Sequence, residues 1–435
     1  EFFLELFSEE IPSSLQKNVR ENLLNSFSKS FTEKNISFKK SSSYSTPNRL
    51  VISFEGMQKK TILRSQETKG PNTNAPELAL EGFLRSNKAN KKDLFKKKID
   101  KGEFYFFKTK SKQLSTHDLL EELIPSILEK IQWKKSMRWG QFDLNWGRPL
   151  KSILAVFNKK RLKFKLQHLT SSNTTFIDKE FEENKKIFFS FKEYNGFFKK
   201  NNIIIDQNQR KDLIKKKINE FVKKKNFTVL DNSNLIDEVV DLTDQPNVII
   251  CEFDKKFLNI PKEILIITMQ YHQKYFPTFD LKGNLTNEFL VVTNNKDKNG
   301  FIKKGNERVV EARLSDAEFF WKKDKSQNLV KRVSNLKSMN YFKGLGTYFD
   351  KVQRMRKLGG MLSDELLISK EKVELSASVS KVDLISEIVG EFPELQGIMG
   401  GYFAETQGFD KDVSTAISEQ YLPLGYNSKV PKKPY

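Results

Sequence analysis

The residues in this chain best suited to chemistry are cations set beside aromatic rings. His272-Gln273-Lys274-Tyr275-Phe276 places a lysine next to two rings. That combination suits RNA, whose unstacked bases lie on aromatic faces while cations meet phosphate. The rival reading makes Tyr271, Tyr275 and Phe276 core aromatics and His272 a satisfied buried donor. Gly305-Asn306-Glu307-Arg308 and Arg313 set two guanidiniums five positions apart, beside Glu307, Glu311 and Asp316. Structural ion pairs explain that pattern at least as well as phosphate contacts do. Trp139-Gly140 and Trp146-Gly147-Arg148-Pro149 read as a hairpin pinned by indoles, with Arg138 and Arg148 left as RNA contacts. The runs Lys91-Lys92, Lys96–Lys98, Lys215–Lys217 and Lys223–Lys225 are solvated faces that can add sequence-independent phosphate attraction.

Other chemistry has no foothold. The three histidines (His117, His168, His272) lie far apart without paired-ligand spacing. A lone cysteine, Cys251, excludes an internal disulfide and a cysteine-based zinc knuckle. No GxxxxGK[ST] phosphate loop occurs. The chain's 435 residues suffice for two to four domains, and 37% hydrophobic content with 37 phenylalanines can close several cores. Its net charge of +21 calls for an anionic partner, nucleic acid first and a membrane surface second. Part of that charge follows from a Lys-, Asn-, Ile- and Phe-rich composition of the kind AT-rich coding produces. No apolar run approaches a membrane span, and Glu1 and Glu5 stand where a signal peptide needs basic residues. The expected location is cytoplasmic. The absent initiator Met and the ending Lys429–Tyr435 suggest that both ends are trimmed.

The elements that must position these residues follow from periodicity. Phe2–Phe7 reads as a strand, and Leu15, Val19, Leu23, Phe27 and Phe31, at every fourth position, mark a helix with one buried face. A turn at Ser45–Asn48 launches a strand over Arg49–Phe54, and Lys69–Asn72 turns within a binding-type loop. Leu119–Trp133 and Arg210–Lys225 read as helices, and Val248–Phe253 and Phe289–Val292 as core strands. From Ala317 to Gln420 the pattern is helical. The expected fold class is α+β: a multi-lobed N-terminal α+β region followed by an all-α domain. The segments are 1–150 (N-terminal α+β), 151–245 (a possible inserted lobe), 246–318 (return to the α+β core) and 319–435 (helical).

Ordered blocks along almost the whole chain resemble the β subunit of the bacterial tetrameric (α2β2) glycyl-tRNA synthetase. Phe3-Leu4-Glu5-Leu6 with Glu9-Glu10-Ile11-Pro12 is similar to that family's opening strand and "EELP". Thr46–Leu50 is similar to "TPRRL", and Lys69-Gly70-Pro71 with Gly82-Phe83 to "KGP…GF". Lys135–Gly140 with Arg148-Pro149, His272–Phe276, Gly305–Val309 with Arg313–Ala317, and Leu345-Gly346-Thr347 follow in family order. Ser380–Leu384, Glu391–Gly400 and Glu419–Pro423 complete the set. The resemblance implies a non-catalytic, tRNA-binding subunit that positions tRNA(Gly). An α subunit, using ATP and Mg, would make the adenylate and transfer glycine. It also implies that the helical segment is related to HD phosphohydrolases, is incomplete here, and lacks the C-terminal anticodon-binding part. The tRNA-contact candidates are Arg49, Lys69, Arg138, Arg148, His272, Lys274, Tyr275, Arg308 and Arg313. No catalytic residue, metal site or cofactor is expected in this chain.

The residues agree with that assignment. The HIGH and KMSKS elements of class I synthetases are absent, as is the phosphate-gripping arginine motif of class II. No histidine follows His272, so an HD-type metal site, which needs a His-Asp pair and further His to activate water, cannot be built there. There are departures. Thr174-Thr175-Phe176-Ile177 stands where the family has "T-x-GHRF", and "RRL" is reduced to Asn48-Arg49-Leu50. A stand-alone RNA-binding protein and a degenerate HD-type phosphohydrolase are the rival readings; neither explains the ordered blocks.

Overall fold

The computed structural model describes residues 1–435 except 64–66, 100–101, 109–111, 178–184, 231 and 434–435. The chain divides into two compact units, one of residues 1–213 with 237–246 and one of 214–236 with 247–435. The architecture is α+β, and it becomes helical toward the C-terminus.

The first unit is organised by the strand Phe2–Ser8, every residue of which is buried. It sits at the centre of a five-stranded antiparallel sheet, between Leu150–Phe157 and Arg49–Glu55, with Lys40–Thr46 and Lys160-Arg161 at the edges. Side chains alternate between sheet faces with period two. Phe2, Leu4 and Leu6 therefore join the core made with the helices Ser13–Glu33 and Thr116–Leu128. Phe3 belongs to a second core on the opposite face, with Tyr194 and Phe198 of the helix Phe191–Lys200. A strand covered on both faces reads as a continuous apolar run, which explains FFLELF. Glu5 is the exception in that run. A separate three-stranded sheet (Glu67–Asn72, Gly102–Lys108, Leu94–Ile99) carries the lysine run Lys96–Lys98.

In the second unit a four-stranded sheet includes Asn247–Glu252, Phe276–Phe279 and Leu285–Thr293, and it packs with the 25-residue helix Phe301–Lys325. Helices Tyr348–Leu366, Lys370–Val379, Ile398–Thr406 and Lys411–Glu419 follow.

Several sequence expectations are corrected. The helix expected to reach Trp133 ends at Leu128, and Trp133 packs beyond it against Trp146. The strand Leu150–Phe157 pairs directly with Phe2–Ser8, so the sheet runs across the expected boundary at 150/151. The boundary at 318/319 falls inside the helix Phe301–Lys325, so helical structure begins at Phe301. The hairpin Asn340–Thr347 interrupts it, since Gly344 and Gly346 adopt φ of +82° and +81°, which glycine tolerates at little cost.

Candidate nucleic-acid interface

Arg49 is corrected first: it lies in the core, 1% exposed, and offers nothing to a phosphate. On its strand it shares the second sheet face with Glu5, its diagonal cross-strand neighbour. Its Nε lies 3.3 Å from the Glu5 carboxylate. Its Nη2 donates to the carbonyls of Phe176 and Ile177, and Phe7 and Phe198 cover the guanidinium at 4.6 and 4.8 Å. Glu5 also accepts hydrogen bonds from Thr175 and Tyr194. Burial raises the Glu5 carboxyl's pKa, and Arg49 and these hydrogen bonds pull against that rise. The segment that departs from the family's "GHRF" thus supplies the backbone seat of an internal ion pair. Arg210, the first cation of the basic helix Gln207–Lys225, is buried in the same way. It donates to the carbonyls of Ser45, Ile204, Ile205 and Val240 at 2.7–3.0 Å.

The remaining candidates of the first unit are at or near its surface. Lys69 is exposed, with its ammonium 3.7 Å from the Phe104 ring centre. Lys96 and Lys97 on the neighbouring strand face Tyr105 and Phe106 at 5.9 and 5.5 Å. Cations layered on rings are the arrangement that single-stranded nucleic acid favours. Gly70 touches Phe83 so closely that an added Cβ would stand 2.8 Å from its ring, so "KGP" and "GF" meet in space. Arg138 is exposed and lies 3.5 Å from Asp143; Arg148 is half-buried and donates to the Gly147 carbonyl at 2.9 Å. The expected tryptophan-pinned hairpin is reduced to one bridge, Met137–Trp146, and the buried Trp146 packs on Trp133 rather than on Trp139.

In the second unit the pentapeptide at 272–276 splits. It leaves a π-helical turn, Thr268–His272, and Lys274 takes φ +59°. His272 is exposed, with its ring 5.2 Å from that of Phe392. Lys274 is half-buried. Tyr275 is 7% exposed, stacks on Phe289 at 5.3 Å and donates its hydroxyl to Asn306, so it is a core residue and not a stacking platform. Burial pushes its phenol up to about 12. Arg308 is exposed, and Arg313 lies 3.6 Å from Glu391. Several blocks therefore meet each other: 272–276 meets 305–309 through Tyr275–Asn306, and 313–317 meets 391–400 through Arg313–Glu391.

A family model described as Glycyl-tRNA synthetase beta subunit matches residues 2–435. The chain belongs to the glycyl-tRNA synthetase beta subunit family. It is 37% identical over 434 residues to the glycine–tRNA ligase beta subunit of Rickettsia felis, covering 99% of this chain and 65% of that protein. It is also 37% identical over 433 residues to that of Rickettsia canadensis, covering 64% of the relative. The chain thus spans slightly less than two thirds of these relatives' length.

Within the family's blocks lie two buried ionisable side chains that sequence reasoning missed. Lys381 is 5% exposed; it donates to Gln420 at 2.5 Å and lies 3.9 Å from the Tyr421 ring centre. Burial and the nearby Lys351 push its ammonium down to about 8. Asp383, 1% exposed, accepts the Gly397 N–H at 2.5 Å, and burial pushes its carboxyl up to about 6; its Oδ1 has no hydrogen-bond partner. A polar stretch such as Ser380–Leu384 carries no local signal of this burial, because Gln420 and Tyr421 arrive from about 40 residues away.

Among the described residues no helix is long and apolar enough to cross a membrane, and no group of three or more His, Cys, Asp or Glu is placed to hold a metal ion.

Proposed function

We propose that this chain is the tRNA-handling part of a glycine–tRNA ligase. It binds tRNA(Gly) through its basic surface and holds the acceptor end for an α subunit. That subunit joins glycine to ATP and transfers it to the terminal ribose, giving glycyl-tRNA, AMP and diphosphate. ATP and Mg belong to the α subunit's chemistry, and the working assembly is a cytoplasmic α2β2 tetramer. The family match across residues 2–435 carries this reading. The net charge of +21 supports the polyanion partner. The contribution to catalysis is positioning, which can supply several kcal/mol of barrier reduction with no reacting side chain.

The test is glycine charging with this chain alone, a matching α subunit alone, and the two mixed. Charging in the mixture only is expected. Charging by this chain alone would overturn the reading, because an activating site would then have to lie in it. If the mixture stays inactive while the complete α and β proteins charge, the part of the β subunit outside this chain is indispensable.

A further inference from the structure

Several lysines of the second unit sit beside carboxylates: Lys303 with Glu252 and Glu307, Lys322 with Glu318, Lys323 with Glu387, Lys370 with Asp364. Around the hairpin Asn340–Thr347 the pattern reverses. Lys351 lies 4.0 Å from the Tyr341 ring centre, Lys337 4.9 Å from Phe349, and Lys381 3.9 Å from Tyr421. Among the described residues no carboxylate is within 4.0 Å of the ammonium groups of Lys337, Lys343, Lys351 or Lys381. The hairpin bounds a concavity of about 640 Å³ lined by Tyr341, Phe342, Lys343, Gly344 and Gly346. Phe342 stands 67% exposed at its edge.

The hairpin is held in place. Arg354 donates to the Leu345 carbonyl at 3.0 Å, and Tyr348 N–H to that of Met339 at 2.9 Å. Thr347 and Asp350 close a reciprocal cap at the start of the helix Tyr348–Leu366. Gly346 is required twice, by its positive φ and because a Cβ there would stand 2.3 Å from the Asp350 carboxylate. An exposed ring on a held turn, beside cations that make no close ion pair, suits a ligand that is both flat and anionic.

We propose that this hairpin is a binding site for an unpaired stretch of RNA strand, a base stacking on Phe342 and backbone phosphate meeting Lys343 and Lys351. The proposal rests on the tRNA-binding reading above and gives it a location. Stacking needs an unpaired base, because in a duplex the ring faces are covered by neighbours.

The experiment uses the full chain and fluorescence anisotropy with three probes: a labelled ten-nucleotide single-stranded RNA, the same sequence as a blunt duplex, and tRNA(Gly). The single strand should bind more tightly than the duplex. Phe342→Ala should weaken single-strand binding roughly 5- to 100-fold. Lys343→Ala with Lys351→Gln should lower the slope of log affinity against log salt by about 1.4, two single-strand phosphates' worth. Lys343→Arg should retain binding. Phe342 and Lys343 are exposed, so Phe342→Ala and Lys343→Arg keep the wild-type melting temperature. If tRNA binds but both variants bind RNA like wild type, the site is overturned and the tRNA reading stands. If Phe342→Ala binds RNA normally but loses capture of the α subunit, the face is a protein interface and the proposal fails. If the wild-type chain binds none of the three probes, site and reading fall together.

Discussion

Glu5 and Arg49 meet at 3.3 Å across adjacent antiparallel strands, each side chain only 1% exposed. The pair lies on the sheet face that carries Phe3, Val51 and Leu154. Thr175 and Tyr194 complete the carboxylate's hydrogen bonds, and two carbonyls occupy the guanidinium. An ion pair so buried is tolerated because its members satisfy each other; removing one leaves the other charged in a medium that cannot solvate it.

Arg49→Ala should therefore cost about 3–5 kcal/mol of stability by stranding Glu5 alone. Guanidinium denaturation measures the loss. The folded protein should keep its salt slope for tRNA, because Arg49 touches no phosphate. A stable variant with a reduced slope would restore Arg49 as an RNA contact.

Tyr275 and His272 should separate cleanly. Tyr275→Phe loses one hydroxyl hydrogen bond to Asn306, worth about 1 kcal/mol. Tyr275→Ala should cost about 3–5 kcal/mol as a core truncation. Exposed His272→Ala should leave stability within about 0.5 kcal/mol. Measuring tRNA affinity beside thermal melting decides the matter: a Tyr275→Phe protein of normal stability and weakened affinity would contradict the core assignment.

Asp383 predicts a pH signature. Its carboxyl is raised from 3.8 to about 6 by burial, so folding favours the protonated form. That stabilising contribution is present below pH 3.8 and lost as pH rises through 6. Asn cannot ionise, so the stability of Asp383→Asn relative to wild type should improve by about 2 kcal/mol between pH 4 and pH 7. Denaturation curves of both proteins at the two pH values test this. A constant difference would mean that the carboxylate is fully compensated when charged.

The basic helix Gln207–Lys225 supplies a fourth test. Lys215, Lys216, Lys223 and Lys224 are exposed and, among the described residues, without a carboxylate at ion-pair distance, unlike Lys217 with Glu220 and Lys225 with Glu288. Replacing the four by Gln should lower the salt slope of tRNA binding by about 0.9 for each duplex phosphate no longer neutralised, with little change in melting. An unchanged slope would make this helix an ordinary solvated face.

The sequence by itself determined what depends on local pattern and on ordered motifs. The strand at Phe2–Ser8, the helix over Ser13–Glu33 with its every-fourth-residue core, the family and the absence of histidine after His272 were all legible there. What only the tertiary structure decided is which charges reach water. Arg49 and Arg210 look like surface cations in sequence, yet their partners lie at Glu5, Ser45, Phe176 and Val240, brought together by a sheet covered on both faces. Lys381 is buried by Gln420 and Tyr421, while Phe342 is left exposed on a turn that its neighbours hold rigid. Periodicity tells which residues share a face of one element. It does not tell whether a second layer will cover that face, because that layer comes from residues far away along the chain, and its arrival sets the cost of every charge beneath it.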